Sequence, residues 1–466
     1  MERIHIGDLS DKNVGQKVVV KGWVDTVREH GKLVFLDIRD ISGTIQTVVS
    51  AKNKEIFDEA KKLTKESSVS VEGSVNLRPK GTENDKVTTG KVELGIEKLE
   101  IYNICPPLPF ELDNKEVGEE VRLKYRYLDL RRPQMQKNLK ARAKLFQATR
   151  EYLDSKNFTE IETPMLVKYT PGGARNFIVP SRTDAGKFWA LPESPQLFKQ
   201  LLMVAGMERY YQIARCLRDE DLRKDRQPEF TQIDIEMSFV NQEHIIELIE
   251  GLLKKIWKEV LNVDIKTPFP RMTYEDSMKN YGNDRPDMRK DKNNPYEYAF
   301  LWVVDFPLFQ YSEEDKKYVA NHHPFTSPNM EDFKKNPEKA RSWAYDIVLN
   351  GVEIGGGSIR IHDKEVQQKV FEILKISKED QEKKFKFLLD ALKFGAPEHG
   401  GIAIGVDRLM QLILNAESIR EVIAFPKNSD GRETMLEAPS EVSENQLKDL
   451  HIKLDLPKEK EKGKKS

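Results

Sequence analysis

The chain has 466 residues, with 76 lysines and arginines against 77 aspartates and glutamates for a formal net charge of −1. Charged residues make up 33% and hydrophobic ones 38%, the balance of a globular chain long enough for two or three domains. No apolar run approaches the roughly 20 residues that span a bilayer, Met1-Glu2-Arg3-Ile4-His5 lacks the apolar core of a signal peptide, and two distant cysteines, Cys105 and Cys216, exclude a disulfide framework or zinc site. A cytoplasmic, membrane-free protein is expected.

Residues 1–105 read as β-rich. Val18–Val24, Lys32–Arg39, Thr44–Val49, Ser68–Val75 and Val92–Ile96 are strands, and Lys52–Thr64 is a helical interruption between the third and fourth. Five strands with a helix at that place predict an OB-fold barrel, a fold that commonly binds single-stranded nucleic acid, although a purely structural barrel would look the same. Phe35 and Gln46 could stack on and hydrogen-bond an unpaired base; Phe35 would equally suit the barrel core.

Pro106-Pro107-Leu108-Pro109-Phe110 is a stiff linker that opens a charged helical hinge, 106–136. Residues 137–455 read as α+β with a mainly antiparallel sheet. Leu145, Phe146, Tyr152 and Leu153 form one helical stripe, and Ile245, Leu248, Ile249, Leu252, Leu253 and Ile256 form another on a helix over 243–261. Residues 456–466 are a charged tail, read as disordered. The near-neutral chain lacks the basic footprint of a nucleic-acid-binding domain. A nucleic-acid partner would need local patches, for which Arg122-Leu123-Lys124-Tyr125-Arg126 with Arg131-Arg132, and Lys458 to Lys465, are candidates.

Six stretches carry chemistry. Asn157–Leu166 is a strand running into Thr163-Pro164. In Ala190–Gln200 a Pro-punctuated turn opens into a helix with Gln196 and Lys199 three apart on one face. Lys199 is a point charge suited to a carboxylate, and Gln196 can bond an ammonium or a carboxylate. The run Arg218–Glu236 packs arginines and carboxylates around a turn and resumes as a strand. Arg218 and Arg226 can grip phosphate oxygens, Glu220 can accept from an adenine amino group or help hold a metal, and Phe230 can lie against a purine. Asp234 and Glu236 share one strand face. A solvated, salt-bridged loop is the plainer interpretation of such a charge run. In Asn321-His322-His323-Pro324-Phe325 the adjacent histidines point in different directions and lack a third ligand at zinc spacing. Ala344–Arg360 alternates and then becomes glycine-rich, without the Gly-Lys-Ser/Thr of a P-loop. Its Asp346 and Glu353 are hard oxygen ligands suited to Mg²⁺, and Arg360 can fork a carboxylate. Gly395–Leu409 is a glycine-rich strand entering a helix that carries Arg408.

The Arg218–Glu236 run resembles motif 2 of the class II aminoacyl-tRNA synthetases, in the form carried by aspartyl-tRNA synthetases of bacterial type. Asn157–Leu166 resembles motif 1 and Gly395–Leu409 motif 3, in the family's order, and the resemblance covers nearly the whole chain. It implies an OB-fold anticodon-binding domain and a class II catalytic domain. The implied reaction joins L-aspartate and ATP into aspartyl-adenylate and transfers aspartate to tRNA(Asp). The implied ATP set is Arg218, Glu220, Arg226, Gln227, Phe230, Glu353 and Arg408, with Arg218 and Arg408 catalytic and Mg²⁺ on Asp346 and Glu353. Aspartate falls to Ser194, Gln196, Lys199, Asp234, His322, His323 and Arg360. The anticodon falls to Phe35 and Gln46 with Arg28, His30, Arg78 and Asn84, and Pro164 marks a homodimer interface.

Three departures from the family pattern stand out. The domain usually inserted between motifs 2 and 3 is missing, since Asp287–Lys292 runs almost directly into Tyr298–Trp302. The loop Tyr169–Phe177, which in the family closes over aspartate, has Gly172 and Asn176 where Glu and Asp are usual. His30 before Gly31 resembles members that also charge tRNA(Asn). His5-Ile6-Gly7 and Lys375-Ile376-Ser377-Lys378 faintly echo class I synthetases, but no second histidine and no Rossmann unit accompany them. An asparaginyl-tRNA synthetase, a non-catalytic nucleic-acid-binding relative and a free-standing asparagine-forming ligase are the competing interpretations. The barrel opposes the last, and the Lys199/Arg360 pair favours a carboxylate over asparagine.

Overall fold

A computed structural model describes residues 2–169, 175–220, 225–313 and 316–456. Gly172 of the loop expected to close over aspartate, part of the charged turn after Arg218, and the basic tail lie outside the described residues. The chain forms two compact units, Met1–Asn114 and Lys115–Ser466, so the segment expected to be a hinge divides between them. Among the described residues no helix is long and apolar enough to cross a membrane.

In the first unit, strands β1 (Lys17–His30), β2 (Leu33–Arg39), β3 (Thr44–Ser50), β4 (Ser68–Leu77) and β5 (Val92–Asn103) close into a barrel of order β1-β2-β3-β5-β4. Helix α1 (Lys54–Lys61) lies between β3 and β4. β2 and β3 bury every second residue, so Val34, Leu36, Ile38, Ile45 and Val49 fill the interior while the alternate side chains face outward. Phe35 belongs to the outward set. This rules out the barrel-core alternative for it.

The second unit is built on an eight-stranded sheet of order β9-β10-β11-β12-β13-β8-β7-β6. These strands are β6 (Thr159–Glu160), β7 (Arg209–Leu217), β8 (Glu229–Ser238), β9 (Arg271–Thr273), β10 (Phe300–Val304), β11 (Ala344–Leu349), β12 (Val352–Ile359) and β13 (His399–Gly405). The two outermost pairings are parallel and the five inner ones antiparallel. Helices α2 (Pro133–Asp154) and α3 (Gln242–Leu261) supply the apolar stripes expected of them. Asn241 caps α3 by accepting from the Glu243 and His244 amides, and Asn262 closes it in the left-handed conformation. Ile245, Ile249, Leu252, Ile256 and Trp257 then pack into one core with Ile233 and Ile235 of β8 and Ile402 and Ile404 of β13. Full burial of each such aliphatic side chain contributes roughly 1.5–3 kcal/mol, so the centre of the sheet is a rigid platform.

One sequence expectation needs correction. The basic cluster Arg122–Arg132 is a candidate nucleic-acid patch by sequence, but three of its guanidinium groups turn inward onto the fully buried Asp129. Arg122 Nε and Arg132 Nε sit 2.9 and 3.1 Å from Oδ1, and Arg126 Nη1 sits 2.5 Å from Oδ2. Arg126 also donates to the carbonyls of Arg420, Ile423 and Ala424. With their donors turned onto Asp129 and backbone carbonyls and their side chains largely buried, these three groups present few donors to a phosphate backbone.

Candidate active site

The platform's middle strands carry a buried quartet of charges. Asp234 and Glu236, two apart on β8, project to one side of the sheet and are fully buried. Helix α4 (Gln196–Val204) brings Lys199 Nζ to 2.7 Å from Asp234 Oδ1 and 3.3 Å from Glu236 Oε2. Just past β12, Arg360 forks Glu236, with Nε 3.0 Å and Nη2 3.2 Å from its two oxygens, while Nη1 donates to Ser358 Oγ at 2.7 Å. Glu236 lies opposite Gly401 in the ladder, where a Cβ would stand 2.2 Å from Glu236 Oε2. Glycine is therefore a requirement of the quartet's packing.

Two positive and two negative charges cancel, which is how a protein tolerates four ions away from water. Burial pushes Asp234 upward, and Lys199 opposes it. Burial works the same way on Glu236, but Arg360 and Lys199 outweigh it and hold that carboxyl below its usual range. The cations expected to await substrate are thus already paired, and Glu236, assigned nothing beyond sharing a strand face with Asp234, is the partner that links them. Not all of their bonding capacity is used. Asp234 Oδ2 is buried with no hydrogen-bond partner among the described residues, as are Gln196 Nε2 and Asn321 Nδ2. The Tyr210 hydroxyl, near enough for it and Asp234 to perturb each other, donates instead to Gln212 Oε1 at 2.9 Å.

The second group of cations is held loosely. Arg218, just after β7, lies 5.1 Å over the Phe230 ring, and its Nε is 3.4 Å from the Glu193 carbonyl. Arg408, on helix α5 (Val406–Leu414), donates to the Glu353 carbonyl at 3.2 Å and approaches Asp225 at 3.5 Å. Arg226 and Glu220 are 3.4 Å apart. Contacts this long exchange readily for phosphate oxygens. Gln227 is different: its amide donates to the Lys427 carbonyl at 3.1 Å and accepts from the Lys427 amide at 2.8 Å. It lines the cavity with the residues expected to contact ATP and also ties the strand approach to the segment after α5.

Asp346 of β11, opposite Gly356 in the ladder, and Glu353 of β12, opposite Val348, line the same cavity from one hairpin. A Cβ on Gly356 would come 2.4 Å from Asp346 Oδ1, so the glycine run clears space for that carboxylate. Burial raises Asp346 well above the carboxylate range, and the charges of Glu353 and Asp284 raise it further. A nine-tenths-buried carboxyl with no hydrogen-bond donor among the described residues, beside two others, fits a hard cation. Among the described residues no three His, Cys, Asp or Glu side chains are placed to enclose an ion by themselves. Two carboxylates completed by phosphate oxygens and water are the usual mode for Mg²⁺. His322 Nδ1 lies 3.8 Å from Asp346 Oδ1, and its ring meets Phe306 edge-on at 4.5 Å. Burial, reinforced by Arg360, lowers His322 to about 4 and His323 to about 3, so both are neutral donors or acceptors at neutral pH.

This has a consequence for stability. Both imidazoles titrate near 6.5 in the unfolded chain and well below that in the folded one. Between those limits the unfolded state binds more protons, so stability rises with pH from about 4 to 6.5 and is flat above. Each histidine contributes up to about 1.4 kcal/mol per pH unit in that window. Urea unfolding at pH 4.5 and 6.5 should therefore show a smaller loss on acidification in the double variant His322→Gln/His323→Gln. An equal loss in both proteins would contradict the assignment.

All fifteen residues expected at the catalytic centre line one cavity of about 600 Å³, together with Glu193, Asp225, Gln232, Asp284 and Phe306. Pro164 is exposed and stands apart from it, flanked by exposed Met165 and Leu166. On the barrel, Arg28 Nη2 donates to Asp37 Oδ1 at 3.0 Å and Gln46 Oε1 at 3.2 Å, and Gln46 donates to Glu93 at 2.8 Å. Phe35 lies opposite Arg28 across the β1–β2 ladder and meets the His30 ring edge-on at 6.2 Å. These residues form one outward face, an amphipathic platform suited to unpaired bases. Arg78 is bonded to the Val92 and Thr82 carbonyls, and the exposed Asn84 accepts from the Lys86 amide within its own loop.

Residues 118–429 match the family of class II tRNA synthetases (D, K and N), and residues 18–102 match the OB-fold nucleic acid binding domain of the tRNA anticodon type. The chain belongs to the class II tRNA synthetases. It is 44% identical to an aspartate--tRNA(Asp/Asn) ligase of Dictyoglomus turgidum over 99% of each chain. It is likewise 44% identical to the ligase of that name from Caldanaerobacter subterraneus, over 98% of this chain and 99% of the relative. The first alignment needs 588 positions for a chain of 466 residues, in accord with the missing inserted domain. In fold, this synthetase superposes on asparaginyl-tRNA synthetase from Pyrococcus horikoshii complexed with asparaginyl-adenylate. The TM-score is 0.76 at 25% identity, covering 91% of this chain and 98% of that one. An Entamoeba histolytica aspartyl tRNA synthetase, at 23% identity and TM-score 0.74 over 92% of both chains, shares the fold.

Proposed function

We propose that this synthetase activates L-aspartate with ATP to give aspartyl-adenylate and transfers aspartate to the terminal ribose of tRNA(Asp), and of tRNA(Asn) as well. The observation that carries the reading is the juxtaposition, in one cavity, of the neutral buried quartet and the loosely held arginines. The Asp234 Oδ2 acceptor receives the substrate ammonium. Donors of Lys199 and Arg360 that Asp234, Glu236 and Ser358 leave open receive the side-chain carboxylate. A carboxamide would turn its own N–H groups toward those donors, and unpaired groups in a buried site make discrimination strong.

Ser194, Gln196, His322 and His323 complete the amino-acid end, the histidines as neutral hydrogen-bonding groups. Phe230 and Glu220 take the adenine. Arg218, Arg226 and Arg408 neutralise the triphosphate so that the substrate carboxylate attacks the α-phosphorus in line. No general base is needed, because the attacking carboxylate is already ionised. Asp346 and Glu353 would hold Mg²⁺, which supplies charge neutralisation on the phosphates. The barrel face around Phe35, Gln46, Arg28 and His30 reads the anticodon, with Arg78 and Asn84 at its margin. The enzyme works in the cytoplasm as a homodimer joined around Pro164.

Side-by-side aminoacylation of purified tRNA(Asp) and tRNA(Asn) tests the reading, with both charged by aspartate at comparable rates as the expected result. Negligible charging of tRNA(Asn) would remove the dual specificity. Pyrophosphate exchange driven by asparagine and not by aspartate would replace the reading with an asparaginyl one.

A further inference from the structure

Asp284 lies in the short connection between helix α6 (Tyr274–Tyr281) and β10, the stretch that stands in place of the missing insert. The connection is held firmly on both sides of it. The buried Ser277 donates to the Asn283 carbonyl at 2.8 Å, Asn283 Oδ1 accepts from the Arg285 amide at 2.9 Å, and Arg289 forks Asp287 at 2.7 Å. Asp284 itself is half-buried, lines the catalytic cavity, and has no hydrogen bond or ion pair among the described residues. A carboxylate presented by a pinned loop into a cavity, without a protein cation, calls for a cationic or protic partner from the ligand. Its neighbours there are Asp346, nine-tenths buried and likewise without a donor, and Glu353. The three are not placed to enclose one ion directly, and Mg²⁺ keeps several of its waters in nucleotide sites.

We propose that Asp284 is an outer-sphere carboxylate of the magnesium–nucleotide site, a positioning residue that accepts hydrogen bonds from ion-bound water rather than ligating the ion. This rests on the reading of Asp346 and Glu353 as the direct ligands. The electrostatic influence of Asp284 on Asp346 fits that proximity. Partners of this kind typically contribute 10–100-fold in metal affinity.

The test titrates Mn²⁺ into the full chain loaded with a non-hydrolysable ATP analogue and follows binding by water-proton relaxation. Asp284→Asn should weaken Mn²⁺ binding by about tenfold, Asp284→Glu should keep the parent's affinity, and excess Mg²⁺ should restore pyrophosphate exchange to Asp284→Asn. Unchanged Mn²⁺ affinity in Asp284→Asn, with loss in Asp346→Asn, would overturn the role of Asp284 and leave the metal site standing. Unchanged affinity in both variants would overturn the metal site and this inference with it.

Discussion

Replacing Arg218 with alanine is expected to slow aspartate-dependent ATP–pyrophosphate exchange by a factor on the order of 10²–10³, the cost of losing one preorganised donor to transition-state charge. The expectation follows from how the side chain is held. Its guanidinium rests on the Phe230 ring at 5.1 Å and makes one long contact to a backbone carbonyl. Neither is a bond whose loss would unfold the sheet, so thermal stability should change little, within the range of a surface substitution. Activity and stability should therefore separate. Arg218→Lys should recover only part of the rate, because an ammonium cannot reproduce a two-pronged grip on phosphate. If the rate loss falls on kcat with KM for ATP nearly unchanged, the contact is made chiefly in the transition state. Intact exchange in Arg218→Ala would refute the phosphate role.

The parts of this picture that were legible in the sequence are those with local signatures. Strand-forming runs bounded by turn residues such as Ser42-Gly43 placed the barrel strands, whereas the alternating burial that puts Phe35 outside could not be read from four consecutive apolar residues, Leu33-Val34-Phe35-Leu36. The helix over Gln242–Leu261 could be read from its apolar spacing and lies within one residue of expectation. Arg218 and Arg226 were visible because their charges cluster along the chain, whereas Arg408 was joined to them only by the resemblance of its stretch to motif 3. Long-range pairing was not visible. Arg360 and Glu236 are 124 residues apart, and nothing in either stretch says that one neutralises the other, although the same-face spacing of Asp234 and Glu236 was a usable hint. Gln227 stands beside phosphate-binding residues in the sequence, and its pairing with Lys427, 200 residues on, which takes both ends of its amide, left no local mark. The cluster Arg122–Arg132 shows the converse. A basic run reads the same whether it is solvated or gathered by one buried carboxylate, and only the tertiary position of Asp129 decides.

Lys199→Met should show the largest combined effect on stability and activity. Lys199 is 2% exposed and bonds two fully buried carboxylates. Its removal leaves Asp234 and Glu236 sharing only Arg360, a net buried negative charge, and breaking such a pair typically costs about 3–5 kcal/mol. Glu236→Gln should cost a comparable amount for the opposite reason, since it strands the positive charge of Arg360 and Lys199. The double variant Lys199→Met/Glu236→Gln restores neutrality with Asp234 and Arg360 left as the remaining pair. It should be less destabilised than the two single losses together, by roughly 1–3 kcal/mol of coupling. Aspartate-dependent exchange should not recover in parallel, because the ammonium that receives the substrate carboxylate is still missing. Denaturant unfolding of the four proteins, set against their KM for aspartate, separates the two contributions. Recovery of aspartate affinity along with stability would mean that Lys199 serves the fold alone and that the substrate carboxylate is held elsewhere.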